Sequence, residues 1–287
     1  MIHSEEYIED SRFAWWNPDY LDLLIKRFAL RDAKIILDVG MGLGHWSRLL
    51  LKRLPAEWTF NGLDIEKHWV DKGLATFAAE FPNVDRSRFD FRQGDAHSLP
   101  YLDESYDLVT CQTVLMHLRD PLTALREMRR VLRVGGLILC AEPINLINRL
   151  SFSTVTNVAE VETLVNAYRL WTFFQRGIQT SDNGDHNIGA YLPSLLRTAG
   201  FHTIEAYTND KASFTVPGSC DASEGEAIWE DAGVIREKAL RGGATDAEIS
   251  AGLIALEVLQ ALKVRQVTDN QFAQSSPSVT VVVGARR

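Results

Sequence analysis

Between residues 34 and 141 the chain alternates short apolar runs with helical ones, and this alternation limits its fold more than any other feature. KIILDV at 34–39 reads as a strand and 43–54 as a helix. A second strand follows over 58–65, a helix over 66–80 and a brief third strand over 88–92. YDLVTCQ at 106–112 is the fourth strand. Asp120 then caps a helix with Pro121 at its first position, running to Leu132. Gly135 and Gly136 turn the chain into a fifth strand over 137–141. Strands and helices in this order close right-handed crossovers and build a parallel sheet covered on both faces.

The flanks behave differently. PDYLDLLIKRFAL at 18–30 reads as an amphipathic helix opened by its proline. Beyond Pro143 the alternation lapses: 145–176 is helical, 179–186 is a polar loop, and 191–199 is a helix stopped by Gly200. A sixth strand lies near 202–207. Residues 222–264 form two helices broken at Gly242 and Gly243, the second opened by Thr245 and Glu248 at capping-box spacing. SVTVVV at 278–283 is the seventh strand. The expected organisation is a helical lid over 1–30, a ligand-binding core over 31–143 and a helical substrate cap over 144–190. The rest of the core, 191–287, carries a helical insertion at 222–265.

Composition narrows the function. A net charge of −8 disfavours nucleic acid and membrane surfaces, which demand a basic footprint, and favours a small-molecule partner. The acidic start MIHSEE has no leader-like pattern, and no apolar run approaches the roughly 18 residues of a membrane span. The expected location is therefore the cytoplasm. Cys111, Cys140 and Cys220 form no C-x-x-C pair, so neither structural zinc nor a disulfide framework is expected, and no metal is assigned. Oligomeric state is not readable.

The chemistry begins with LDVGMGLG at 37–44, where the first strand hands over to a helix. Glycines there let backbone approach a ligand closely. A dinucleotide G-x-G-x-x-G starting at Gly40 needs glycine where His45 stands; the spacing is G-x-G-x-G. Asp38, just before the first glycine, suits a cationic amino group better than a pyrophosphate. Asp64 ends the second strand, where a carboxylate accepts both hydroxyls of a ribose. Gly94, Asp95 and Ala96 follow the third strand, where a carboxylate accepts a bond from an adenine amino group. Singly, Asp64 and Asp95 also read as strand-end caps. Together, three successive strand ends point into one crevice, where open α/β sheets bind ligands.

With LDVGMGLGHW, GLDI, GDAHSLPYLDESYDLVTCQTVLMHLRDP and LRVGGLILCAEP, residues 34–143 resemble class I S-adenosylmethionine-dependent methyltransferases of the ubiquinone/menaquinone-biosynthesis type. DHNIGAYLPSLLRTAGF at 185–201 resembles the later part of such enzymes. The resemblance implies a Rossmann-like α/β fold with a seven-stranded, mostly parallel sheet and helical additions after strand five and between strands six and seven. It implies S-adenosyl-L-methionine as cofactor. Asp38, Gly40, Met41 and Gly42 would hold its methionine end, and Asp64 with Ile65 its ribose. Gly94, Asp95 and Ala96 would hold the adenine; Cys111, Gln112 and Thr113 would line the wall near the sulfonium. Met41 departs from the cysteine or alanine common there and is tolerated if backbone does the binding.

Methyl transfer from a sulfonium needs alignment first, and a base only if the acceptor must lose a proton. His117 and Glu142 are the candidate catalytic residues. Each has a plainer reading: a histidine bonded to nearby backbone, and a carboxylate capping the next element. His97 reads as surface. Asp185–Gly189, with His186 and Tyr191, reads as a loop reaching the acceptor or as a plain connector. Tyr7, Arg12, Phe13, Trp15 and Trp16 form an aromatic cluster, either a lid over the cofactor or packing for the first helix. Trp171, Phe173 and Phe174 read as helix core or as the wall of an apolar acceptor site. The expected function is methyl transfer to a small molecule. A non-catalytic cofactor-binding regulator and methylation of a macromolecule stand as alternatives; a nicotinamide dehydrogenase is disfavoured by the glycine spacing.

Overall fold

A computed structural model describes residues 12–55, 57–149, 152–181, 184–211, 213–215, 217, 231–269, 271–272, 274–276 and 280–286. Tyr7, the rest of the expected lid before Arg12 and the start of the expected helix at 222–230 lie outside the described residues.

The chain divides into two compact units. The first comprises Met1–Pro143, Ile188–Lys211 and Val279–Arg287. Its strands are β1 (Ile35–Val39), β2 (Thr59–Asp64), β3 (Phe89–Gln93), β4 (Tyr106–Gln112), β5 (Leu132–Glu142), β7 (His202–Thr208) and β10 (Thr280–Ala285), β6, β8 and β9 belonging to the second unit. They form one sheet in the order β3-β2-β1-β4-β5-β10-β7. The first five pair in parallel, and β10 runs antiparallel to both β5 and β7. The order reverses between β1 and β4, which opens a crevice at the carboxyl ends of those strands.

Helices α1 (Pro18–Arg27), α2 (His45–Leu51), α3 (Lys67–Glu80), α4 (Pro121–Val131) and α8 (Leu192–Thr198) accompany the sheet, with α5–α7 in the second unit. Local chemistry sets their ends: Asp120 accepts the Thr123 N–H ahead of Pro121. Two clusters of buried side chains pack on the sheet, one around Leu37, Val109, Leu125 and Phe201, the other around Leu24, Trp46, Phe60 and Phe77. Helix α1 belongs to the second cluster through Tyr20, Leu21, Leu24 and Ile25, and the Tyr20 hydroxyl donates to Thr208 O. Trp16 lies 4.6 Å from the Trp46 ring, and Phe13 meets His45 edge-on at 5.0 Å. These aromatics therefore pack the amino-terminal helix onto the sheet.

Strand β5 starts five residues before the expected 137 because Gly135 N donates to Arg286 O and Arg286 N to Gly136 O. That pairing bridges Gly135, which turns through a left-handed φ of 82°, and joins Leu132 to the strand that follows.

The second unit comprises Ile144–Asn187 and Ala212–Ser278. It holds α5 (Asn145–Arg149), α6 (Thr154–Val158), α7 (Val161–Ser181), α9 (Ala232–Arg241) and α10 (Asp246–Thr268). Thr245 and Glu248 form the expected capping box on α10. Trp171 and Phe174 pack its core with Leu170, Ile235, Ala239 and Ile249. Residues 145–176 are not continuously helical. β6 (Phe152–Ser153) pairs with β9 (Gln274–Ser276), which also pairs with β8 (Ser213–Thr215), a small sheet that sequence periodicity does not show. Ser153 then caps α6 reciprocally with Thr156, restarting the helix.

Candidate functional site

The glycine loop after β1 is built from left-handed backbone. Gly40, Gly42 and Gly44 have φ of 68°, 53° and 71°, a region that side-chain-bearing residues enter only with strain. A Cβ at Gly40 would stand 2.5 Å from Val114 Cγ2, and one at Gly44 would strike the Phe77 ring. At Gly42 no atom lies within 4 Å of that position, so the loop is open there. Met41 is buried, and a Cβ at Gly62 or Gly73 would run into its side chain, so Met41 packs beneath the loop.

Hydrogen bonds tie the neighbouring strand ends together. Gly40 N and Met41 N donate to Leu63 O at 2.7 and 3.0 Å, and Gly94 N donates to Asp64 O at 2.9 Å. Asp64 Oδ2 accepts the Gly42 N–H at 2.8 Å and Oδ1 the Glu66 N–H at 3.0 Å. Burial pushes the Asp64 carboxyl above the usual range, against the pull of those two donors. Ile65 beside it is 62% exposed and presents apolar surface. Asp38 is buried and accepts the Ser47 hydroxyl; burial pushes its carboxyl up to about 7. Asp95 is half exposed, accepts the His97 N–H at 2.9 Å and sits 2.6 Å from His97 Nδ1, which holds its carboxyl below the usual range. Ala96 is buried behind it.

Across the crevice, Gln112 ends β4. Its side chain is 7% exposed, and Nε2 is buried with no hydrogen-bond partner. A buried amide donor left open is costly unless a ligand or water completes it. Thr113 follows with φ 52°, its N–H donating to Ala141 O.

Two sequence expectations change here. Cys111 has no exposed surface: it packs in the sheet core, 3.9 Å from Glu142 Oε1, and does not line the crevice. The neighbouring Cys140 and burial push its thiol well above the usual range. Glu142 is likewise fully buried. It accepts the N–H groups of Val114, Leu115 and Met116, so it is unavailable as a base to anything in the crevice. Neither reading of Glu142 is the one present: it serves neither as a base nor as a cap on the next helix, and instead fastens the earlier turn after β4. His117 is exposed at the end of the 3-10 turn Leu115–His117. Val114, which covers Gly40, carries no sequence signal: it is one more apolar residue after a strand.

These positions fit the adenosyl ligand that the sequence implies. The open face at Gly42, the carboxylate of Asp64 and the unpartnered amide of Gln112 sit on adjacent strand ends. A separate cavity of about 360 Å³ lies at the opposite, amino-terminal ends of β1, β4 and β5, lined by Asp107 and Arg133, away from this chemistry.

Residues 37–140 match the family profile described as the methyltransferase domain. That match takes in the glycine loop, Asp64, Asp95 and Gln112 of the sheet unit. The chain is 34% identical over 140 residues to the uncharacterized methyltransferase YcgJ of Bacillus subtilis (strain 168), covering 49% of this chain and 52% of that protein. It is 34% identical over 164 residues to the demethylmenaquinone methyltransferase of Roseiflexus castenholzii, covering 56% and 59%. The matched region thus spans about half the length of these curated relatives. Among solved structures, YcgJ of Bacillus subtilis aligns with a TM-score of 0.51 at 19% identity over 94% of this chain and 99% of that one. A methyltransferase-like protein of Bacillus halodurans C-125 aligns at 0.52 and 16% over 93% and 99%. The fold is shared with both. Among the described residues no helix is long and apolar enough to cross a membrane.

Proposed function

We propose that the protein transfers the methyl group of S-adenosyl-L-methionine to a small-molecule acceptor. The observation that carries this reading is the joined pair of Asp64 and the open Gly42 backbone. Each Asp64 oxygen uses one acceptor site on a backbone N–H and keeps another for a ribose hydroxyl. Gly40 and Gly42 receive the methionine end, with the Asp38 carboxylate beneath it facing the ammonium's charge. Ile65 and Asp95 flank the base, and Gln112 donates its buried amide across the crevice.

When bound, the cofactor supplies an activated methyl carbon on a cationic sulfur. The chain's task is then to align the acceptor and keep water out. With Glu142 sealed, His117 is the exposed residue on the turn after β4 assigned to take a proton if the acceptor is a hydroxyl. A small acceptor is supported by the net charge of −8. It also agrees with relatives named for small substrates: the demethylmenaquinone methyltransferases, and a phosphoethanolamine N-methyltransferase of Haemonchus contortus solved with S-adenosylhomocysteine.

The test is incubation with methyl-labelled cofactor and a pool of small metabolites. Label in a low-molecular-weight product supports the reading. Binding without any product supports a regulator, and label only in protein or RNA supports a macromolecular acceptor.

A further inference from the structure

Glu142 closes β5 with no exposed surface, and its carboxylate is spent on one short stretch of backbone. Oε1 accepts the N–H groups of Val114 and Leu115 at 2.9 Å each, and Oε2 accepts that of Met116 at 3.2 Å. These three consecutive donors belong to the turn after β4, where no strand supplies acceptors for them. A buried carboxylate is tolerated when several backbone donors converge on it.

The same turn contains Thr113, a β-branched residue at φ 52°. Such a conformation persists only where its surroundings over-determine it, and it clusters at functional sites. Thr113 N is pinned to Ala141 O on β5, and the next three residues are pinned to Glu142, so β5 fixes the turn from both sides. The outcome is the placement of Val114, whose methyl carbons occupy the space a Cβ on Gly40 would need, at 2.5 and 2.7 Å.

We infer that Glu142 is a positioning residue: by fastening residues 114–116 it seats Val114 over Gly40 and so holds the cofactor loop in its binding shape from two strands away. Without exposed surface Glu142 touches no ligand, and its effect runs through the turn. The inference rests on the proposed cofactor site for its effect on binding, and on the hydrogen bonds alone for its effect on the turn.

Two variants of the full chain test it. Glu142→Gln keeps the volume but turns an amide NH2 towards backbone donors. Hydrogen exchange at residues 114–116 is expected to quicken about tenfold or more, as for a lost buried hydrogen bond, with strands β1 and β2 still protected. The Kd for S-adenosylhomocysteine, read by calorimetry, is expected to rise about tenfold. Val114→Ala, which cuts the contact to Gly40 and spares the hydrogen bonds, is expected to weaken binding several-fold with residues 115 and 116 still protected. Wild-type protection of 114–116 in Glu142→Gln, or unchanged affinity despite rapid exchange, overturns the inference. If Glu142→Gln fails to fold, unchanged affinity in Val114→Ala overturns it and weakened affinity supports it. If the wild type does not bind S-adenosylhomocysteine, the cofactor reading fails instead, and the exchange at 114–116 still decides what Glu142 does.

Discussion

Asp64 Oδ2 accepts the Gly42 N–H at 2.8 Å, so the carboxylate ending β2 and the middle glycine of the loop after β1 are held as one piece. Removing the carboxylate deletes the acceptor for a ribose and releases the loop together. Asp64→Ala is expected to raise the Kd for S-adenosylhomocysteine about a hundredfold, equivalent to roughly two hydrogen bonds to a charged group. Calorimetry reads this directly. Undiminished affinity would remove the basis for the cofactor site.

Gly40 and Gly42 are expected to fail in different ways. Alanine at either pays left-handed strain of roughly 1–2 kcal/mol. Gly40→Ala also drives a Cβ into Val114, whereas Gly42→Ala meets no protein atom. Gly40→Ala should therefore melt several degrees below Gly42→Ala, at about 2–4 °C per kcal/mol for a chain of this size class. Gly42→Ala should lose cofactor affinity out of proportion to its small change in Tm. Parallel losses in both measurements for both variants contradict this assignment.

Asp38 and Glu142 are carboxyls that burial pushes up to about 7, and the unfolded chain titrates them near their ordinary values. Raised folded-state pKa values mean that the folded protein holds these protons more tightly. Their contribution is complete at low pH and is lost as pH rises through about 7, at roughly 1.4 kcal/mol for each unit of difference. Asp107 and Glu127, whose carboxyls are held below the usual range, finish titrating at lower pH. The ligand-free protein is thus expected to melt higher near pH 5 than at pH 8. Binding should show the opposite trend, because a cationic ammonium favours ionised Asp38. A flat melting profile between those pH values argues against buried, protonated carboxyls.

Trp46 donates its indole N–H to Thr110 Oγ1 at 2.5 Å, and Thr110 Oγ1 donates to Leu139 O at 2.7 Å, linking α2, β4 and β5. Thr110→Val keeps the shape and strands the buried indole donor, at a cost of about 1–3 kcal/mol. Thermal melting should show that loss, with affinity for S-adenosylhomocysteine unchanged. A fall in affinity as large as for Asp64→Ala would place this network in the binding site.

Much of this was legible in the residues because the signals are local. Short apolar runs alternating with helical ones mark the strands and helices of the sheet unit, Asp120 with Pro121 marks a helix start, and three glycines at alternate positions mark a loop whose backbone a ligand can approach closely. Asp38, Asp64 and Asp95 are readable as strand-end residues for the same reason. The short strands Phe152–Ser153 and Gln274–Ser276 are not readable: they are extended only because they pair with each other across more than a hundred residues. The early start of β5 likewise depends on Arg286.

The side chains around β4 and β5 show where such reading ends. Cys111 and Gln112 are adjacent in the chain, yet one is sealed in the core and the other leaves an amide unpartnered at the strand end. Which of them a ligand can reach depends on the packing of β5, not on residue type. Glu142 looks like a base in the sequence because a carboxylate after a strand suits that role. The fold instead surrounds it with backbone donors from residues 114–116.

The sequence by itself therefore determined the parallel α/β architecture and the glycine loop, since periodicity, caps and positive-φ residues act within a few positions of where they are written. Tertiary structure alone decided that Glu142 clamps a turn, that Val114 covers Gly40 and that Cys111 is core. Those outcomes are set by which groups from distant segments meet, and by the cost of leaving a buried donor or carboxylate without a partner.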